Sequence, residues 1–220
     1  MLKKTAQSQS REEWRWNAKE LRLFDRLGSP GAVQDFLDGI PYNAEPVCRS
    51  PREVLRVRRA HCMEGALFAA AALSHHGRPP LLVDLRAHND DDHVIALFRE
   101  GGLWGAVAKS NTTALRMRDP VYRSVRELAM SYFPFYFNLD GFSALREYSV
   151  AFDLTRFDDR GWRFTTEDLE YLGDALDRLR HTRLVDEATA RGLRRAPQYM
   201  MDACLAGADP TGLFKPSKSS

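Results

Sequence analysis

Three shortages narrow the class of this chain before any motif is read. No apolar run is long enough to span a bilayer; the longest apolar block is the segment 65–73. There are only three cysteines, Cys48, Cys62 and Cys204, too few and too scattered for a disulfide framework or a CxxC zinc site. Charge of one sign is lacking too. The 32 basic and 30 acidic residues leave a net charge of +2, which gives no electrostatic footprint for nucleic acid. Lys3 and Lys4 are not followed by an apolar stretch, so no signal peptide is expected. The expectation is a soluble cytoplasmic protein without nucleic-acid or membrane partners, its oligomeric state left open.

What is present suits a packed core. With 220 residues, 44% hydrophobic and 10% aromatic, the chain reads as one domain. Residues 1–10 read as a disordered tail, 11–212 as a single domain with a C-terminal helical extension, and 213–220 as a second tail. Trp14, Ala18, Leu21 and Phe24 recur at helical spacing, which predicts an amphipathic helix over 11–27. A short helix is expected near 31–38, and Ser50-Pro51-Arg52-Glu53 starts another. The block 65–73 has no polar face, which marks a helix buried on all sides. Gly77 and Pro79-Pro80 stop it. Strands follow at 81–85 and from His93, and Glu100-Gly101-Gly102 turns the chain back into 103–108. Further on come the aromatic stretch 132–137, a strand near 148–152, a helix from Thr165 to about Arg180, and a shorter helix near 186–195. The fold class is α+β: a buried central helix on a small antiparallel sheet, with peripheral N- and C-terminal helices.

Cys62 stands where the buried helix begins. Unpaired N–H groups and the helix dipole favour a thiolate there. His93 opens the apolar strand Asp92-His93-Val94-Ile95-Ala96-Leu97-Phe98, and an imidazole so placed can hold or take the thiol proton. Taken alone, Cys62 reads as a small buried hydrophobe and His93 as a structural histidine. Together, a helix-tip thiol and a strand histidine form the minimum of an acyl-transfer site.

The run 51–111 resembles the core of the transglutaminase-like superfamily, which is related in architecture to the papain-like cysteine proteases. The resemblance rests on Ala60-His61-Cys62-Met63-Glu64-Gly65-Ala66, Gly77-Arg78-Pro79-Pro80, Asp92-His93-Val94, and Trp104-Gly105-Ala106-Val107-Ala108-Lys109-Ser110-Asn111. It implies a cysteine-proteinase-like core, Cys62 as nucleophile and His93 as general base and acid. It also implies a third residue that orients the imidazole, with Asn111 first and Ser110 or Asp119 as alternatives. Counting back from a turn at Gly101-Gly102 sets Ser110 opposite His93, whereas a one-residue bulge would bring Asn111 there. The Cys62 N–H and the Tyr42-Asn43 loop are candidate oxyanion donors, and Asn43 and Trp104 are candidate substrate contacts. The implied substrate is a peptide or a small amide or ester, and no cofactor is called for.

The chain departs from the family pattern at several positions. Arg56 stands where papain-like enzymes have glutamine, His61 precedes the cysteine, and Val94-Ile95 replace the aromatic that often follows the histidine. A second function therefore stands beside the enzymatic one: an inactive fold that serves as a binding or scaffold domain. His88 and His93 with Asp84 and Asp90-Asp91-Asp92 match no standard metal spacing, and no metal is expected. The arginines at 49, 52, 56, 58 and 59 read first as a solvated face.

Overall fold

The computed structural model describes residues 14–215. Four helices come first: α1 (Ala18–Arg26), α2 (Pro30–Asp38), α3 (Pro51–Val57) and α4 (Cys62–His75). Strands β1 (Leu81–Ala87), β2 (His93–Glu100), β3 (Leu103–Val107) and β4 (Arg118–Tyr122) follow, then α5 (Val125–Tyr132). The remainder is β5 (Leu145–Ser149), β6 (Phe152–Asp153), α6 (Glu170–Asp177), β7 (His181–Arg183), α7 (Glu187–Gly192) and α8 (Gln198–Leu205). The fold is α+β, with one antiparallel sheet in the order β4-β3-β2-β1-β5-β7 and β6 also paired to β1. No helix among the described residues is long and apolar enough to cross a membrane. The tail 1–10 lies outside the described residues, as does most of the tail 213–220; Leu213 and Phe214 are described and half-buried.

The central helix follows from its sequence. Every residue of α4 from Met63 to Leu73 is buried, as an all-apolar helix requires. Gly77 ends it at φ 78, with the Gly77 N–H bonded to Ser74 O and the Arg78 N–H to Leu73 O. This is a Schellman stop, and its left-handed residue favours glycine. Close packing fixes Gly65 as well: a Cβ there would lie 2.2 Å from Lys109 Cβ.

The apolar run of β2 is explained by burial on both faces. Val94, Ala96 and Phe98 join the layer built on α4, while Ile95 and Leu97 join a second layer with Tyr132 and Tyr136. Alternation along a strand divides the run in this way. The hairpin register is as expected, with Glu100 opposite Leu103 and Ala96 opposite Val107. Pairing then stops short of Ser110. The Gln34 side chain accepts from Ala108 N (3.0 Å) and donates to Ala108 O (2.9 Å) on the edge turned away from β2, just past the last β3–β4 pair.

Two helix starts differ from the expectation, and α6 and α7 also stop early, at Asp177 and Gly192. Asn17 caps α1 and forms a capping box with Glu20, so Trp14 lies before the helix and its ring packs over Gly161. Asp168 accepts from the Glu170 N–H (2.7 Å), and α6 begins there rather than at Thr165.

Gly65→Ala is expected to destabilise the fold by about 2 kcal/mol through overpacking against Lys109. Urea unfolding should show a lower midpoint with an unchanged slope.

Candidate active site

The site is organised by a carboxylate. Glu64 is fully buried one turn into α4. Its Oε2 accepts from the His61 N–H (2.9 Å) and from Asn43 Nδ2 (3.0 Å). Its Oε1 accepts from the Arg49 N–H (3.0 Å) and from Arg49 Nη1 (3.3 Å). A buried charge with four donors and a guanidinium partner is satisfied. These bonds tie the helix start to the loop on either side of Asn43 and to Arg49, and so set the position of Cys62.

Cys62 is half-buried at the first position of α4. Its sulfur is 3.8 Å from Asp92 O and also meets the Val94 N–H, the peptide groups flanking His93. Packing pushes the thiol up to about 11, against the Val94 and Met63 N–H groups, which favour the thiolate.

His93 leaves β2 on the other face. It is 4% exposed, with its ring centroid 6.1 Å from that of Tyr132 and 6.4 Å from that of Tyr136. Its Nε2 is buried and has no hydrogen-bond partner among the described residues. Burial pushes the imidazole down to about 4, while the Leu115 carbonyl favours the charged form. The two residues belong to opposite layers and meet where β2 begins, lining one cavity of about 510 Å³. No hydrogen bond joins sulfur to imidazole.

None of the three expected orienting residues bonds to His93. Asn111 lines the cavity, but its Nδ2 donates to Asp209 O (2.9 Å) and its Oδ1 accepts from Asp209 N (2.8 Å). Ser110 Oγ is paired with Thr112 Oγ1 at 3.0 Å. Asp119 is exposed on the edge strand β4. The group facing the ring is instead the Leu115 carbonyl. Asn43 lines the cavity with its amide held by Glu64. Trp104 lies opposite Arg99, six residues along β2 from His93 and so about 20 Å away.

The arginines near Cys62 are spoken for. Arg49 pairs with Glu45 and Glu64, Arg52 with Glu20, Arg56 with Glu53 and Arg59 with Glu45, while Arg58 lies over the Phe36 ring. The acidic loop after β1 is fixed by Tyr136, whose hydroxyl donates to Asp91 O (2.5 Å). Burial raises Asp90 there to about 7.

Sequence reasoning passed over Glu64, Leu115 and the segment 205–214, which supplies one wall of the cavity. Glu64 carried a usable signal, a glutamate three residues after the residue that caps the helix. For a metal, Asp84, Asp92 and Asp177 bring carboxylate oxygens within 4.8 Å of one another, a donor set suited to a hard cation. Asp84 Oδ2 is bonded to His181 Nε2 at 3.0 Å, and Asp92 Oδ1 accepts from the Ala87 N–H. Compared with family models and with curated proteins, the chain matches none.

Glu64→Ala should cost about 3 kcal/mol, because it strands buried donors on Asn43, His61 and Arg49; chemical denaturation measures it. A second expectation concerns pH. His93 folds with a depressed pKa, so its contribution is full above the ordinary value of 6.5 and is lost as pH falls through about 4. The stability gap between the parent chain and His93→Gln should therefore shrink by about 3 kcal/mol between pH 7 and pH 4. A gap that stays constant would contradict a buried neutral imidazole.

Proposed function

We propose that the chain is a cysteine-dependent hydrolase or acyltransferase acting on an amide or ester carbonyl, built on a cysteine-proteinase-like core of the transglutaminase-like type. One observation carries the reading. A thiol at the tip of a buried helix and a buried imidazole with an unpartnered nitrogen line the same cavity.

In this reading, Cys62 Sγ adds to the carbonyl carbon while its proton passes to His93 Nε2. The carbonyl π pair becomes an oxyanion, which the Cys62 N–H receives; a first-turn N–H has no partner within its own helix. Collapse expels the amine or alcohol, which regains the proton from His93 and leaves a thioester on Cys62. Water or an amine then resolves the thioester, giving hydrolysis or transfer. The resting pair is neutral. With the thiol near 11 and the imidazole near 4, a standing thiolate–imidazolium pair is disfavoured by on the order of 10 kcal/mol. A turnover of about 10 per second has a barrier of roughly 16 kcal/mol. In this reading proton transfer accompanies attack, once substrate has brought sulfur and imidazole within reach.

The second reading is a non-catalytic binding or scaffold domain. It is favoured by the missing sulfur–imidazole bond and by Asn111, Ser110 and Asp119 all being engaged or placed elsewhere.

Acylation by p-nitrophenyl acetate, followed by intact mass and peptide mapping, separates the two. The enzyme reading expects acetyl on Cys62, none in Cys62→Ala, and acylation about 100-fold slower in His93→Gln. Label spread equally over Cys48, Cys62 and Cys204, indifferent to His93, would leave the scaffold.

A further inference from the structure

The cavity wall facing the α4 tip is made by the chain itself. Thr211, Gly212, Leu213 and Phe214 line the space that Cys62 and His93 line. Asp209 opens this segment as the cap of a short turn over Pro210–Gly212, accepting from Thr211 N (2.9 Å) and Thr211 Oγ1 (2.7 Å). The segment is seated by two features. The Asn111 amide grips the Asp209 peptide groups from both sides, at 2.8 and 2.9 Å. Gly212 lies flat on Tyr42: a Cβ there would fall 2.8 Å from Tyr42 Cε1, 2.9 Å from Cδ1 and 3.2 Å from Asn111 Nδ2. Only a residue without a side chain fits.

The seat is specific but lightly made. No ion pair, disulfide or strand ladder among the described residues holds 209–214 to the body. Pro210 and Thr211 are exposed, and Gly212, Leu213 and Phe214 are only half-buried. The preceding helix α8 is anchored differently. Thr113 N donates to Cys204 O (2.8 Å), and Thr113 Oγ1 reaches Ala203 O (2.9 Å) and Cys204 O (3.1 Å). Between anchor and seat lies Gly207, at φ 74 with no heavy atom within 4 Å of its would-be Cβ. Gly207 is the left-handed residue just past the end of α8, so the seat beyond it is joined to the anchored helix by one unpacked turn.

We propose that the segment 209–214 is a releasable strap that narrows the half-open Cys62 cavity, clamped by Asn111 and fitted to Tyr42 through Gly212, and that its release widens the cavity for the acyl substrate. The proposal rests on the reading of Cys62 as the reacting group, and it gives Asn111 a positioning role distinct from orienting His93.

The test is the alkylation rate of each thiol in the full chain, using N-ethylmaleimide, which needs no catalysis. Asn111→Ala removes the clamp, and Gly212→Val drives a side chain into Tyr42. Both should speed modification of Cys62 by about tenfold, while Cys48, which packs on the core and does not line the cavity, keeps its rate. Adding the peptide Asp-Pro-Thr-Gly-Leu-Phe should slow Cys62 again in Gly212→Val, which keeps the Asn111 clamp, and not in Asn111→Ala. An unchanged Cys62 rate in both variants would overturn the strap. So would equal acceleration of Cys48 and Cys62 in both, because the substitutions would then be loosening the whole fold. Failure of the acyl-transfer reading looks different: the strap variants would expose Cys62, yet His93→Gln would not slow its acylation.

Discussion

The buried carboxylate of Glu64 is the constraint on which the site depends. It lies inside an otherwise apolar helix, where an unpaired charge would be untenable, and its four donors come from three separate stretches of chain. Satisfying Glu64 therefore forces the Asn43 loop, His61 and Arg49 to converge on the start of α4. The thiol of Cys62 inherits its position from that convergence. Arg49 is drawn into this structural task, and its neighbours are likewise paired or stacked, so the arginine-rich approach adds little field at the sulfur.

The second determinant is the double burial of β2. One face packs on α4 and the other on Tyr132 and Tyr136, so His93 and Cys62 approach the cavity from opposite layers. Burial drives their pKa values apart: the thiol keeps its proton and the imidazole refuses one. In the proposed acyl transfer such a pair stays neutral until a substrate closes the gap. The proposed strap at 209–214 fits this picture, since it lines the same cavity and would limit how much of the pair a substrate can reach.

Elements governed by local rules were legible in the sequence. The all-apolar stretch and Gly77 gave α4 and its stop, Ser50-Pro51 gave the start of α3, and Gly101-Gly102 gave the hairpin in its observed register. That Cys62 opens α4 and His93 opens β2 was legible from the same patterns; that the thiol would meet the Asp92 and Val94 peptide groups and not the imidazole was not. What escaped was decided by partners distant in sequence. Counting along the hairpin would set Ser110 opposite His93, but the ladder ends at Ala96–Val107, and the chain beyond is held by Gln34, 74 residues before Ala108. Asn111 is claimed by Asp209, 98 residues away. Trp14 shares a spacing with the α1 face, yet the Asn17–Glu20 capping box starts the helix after it. No periodicity encodes these choices, because each is a competition between one side chain and a strand or helix for the same backbone groups.

The most direct test of the account is the protonation of His93, followed by nitrogen NMR of imidazole-labelled protein before and after Cys62 is capped with methyl methanethiosulfonate. The account predicts a neutral ring down to about pH 4, with a ring-nitrogen resonance that shifts when the thiol is capped. A ring that titrates at its ordinary value near 6.5 and ignores the capped thiol would show that the two groups do not share a buried site.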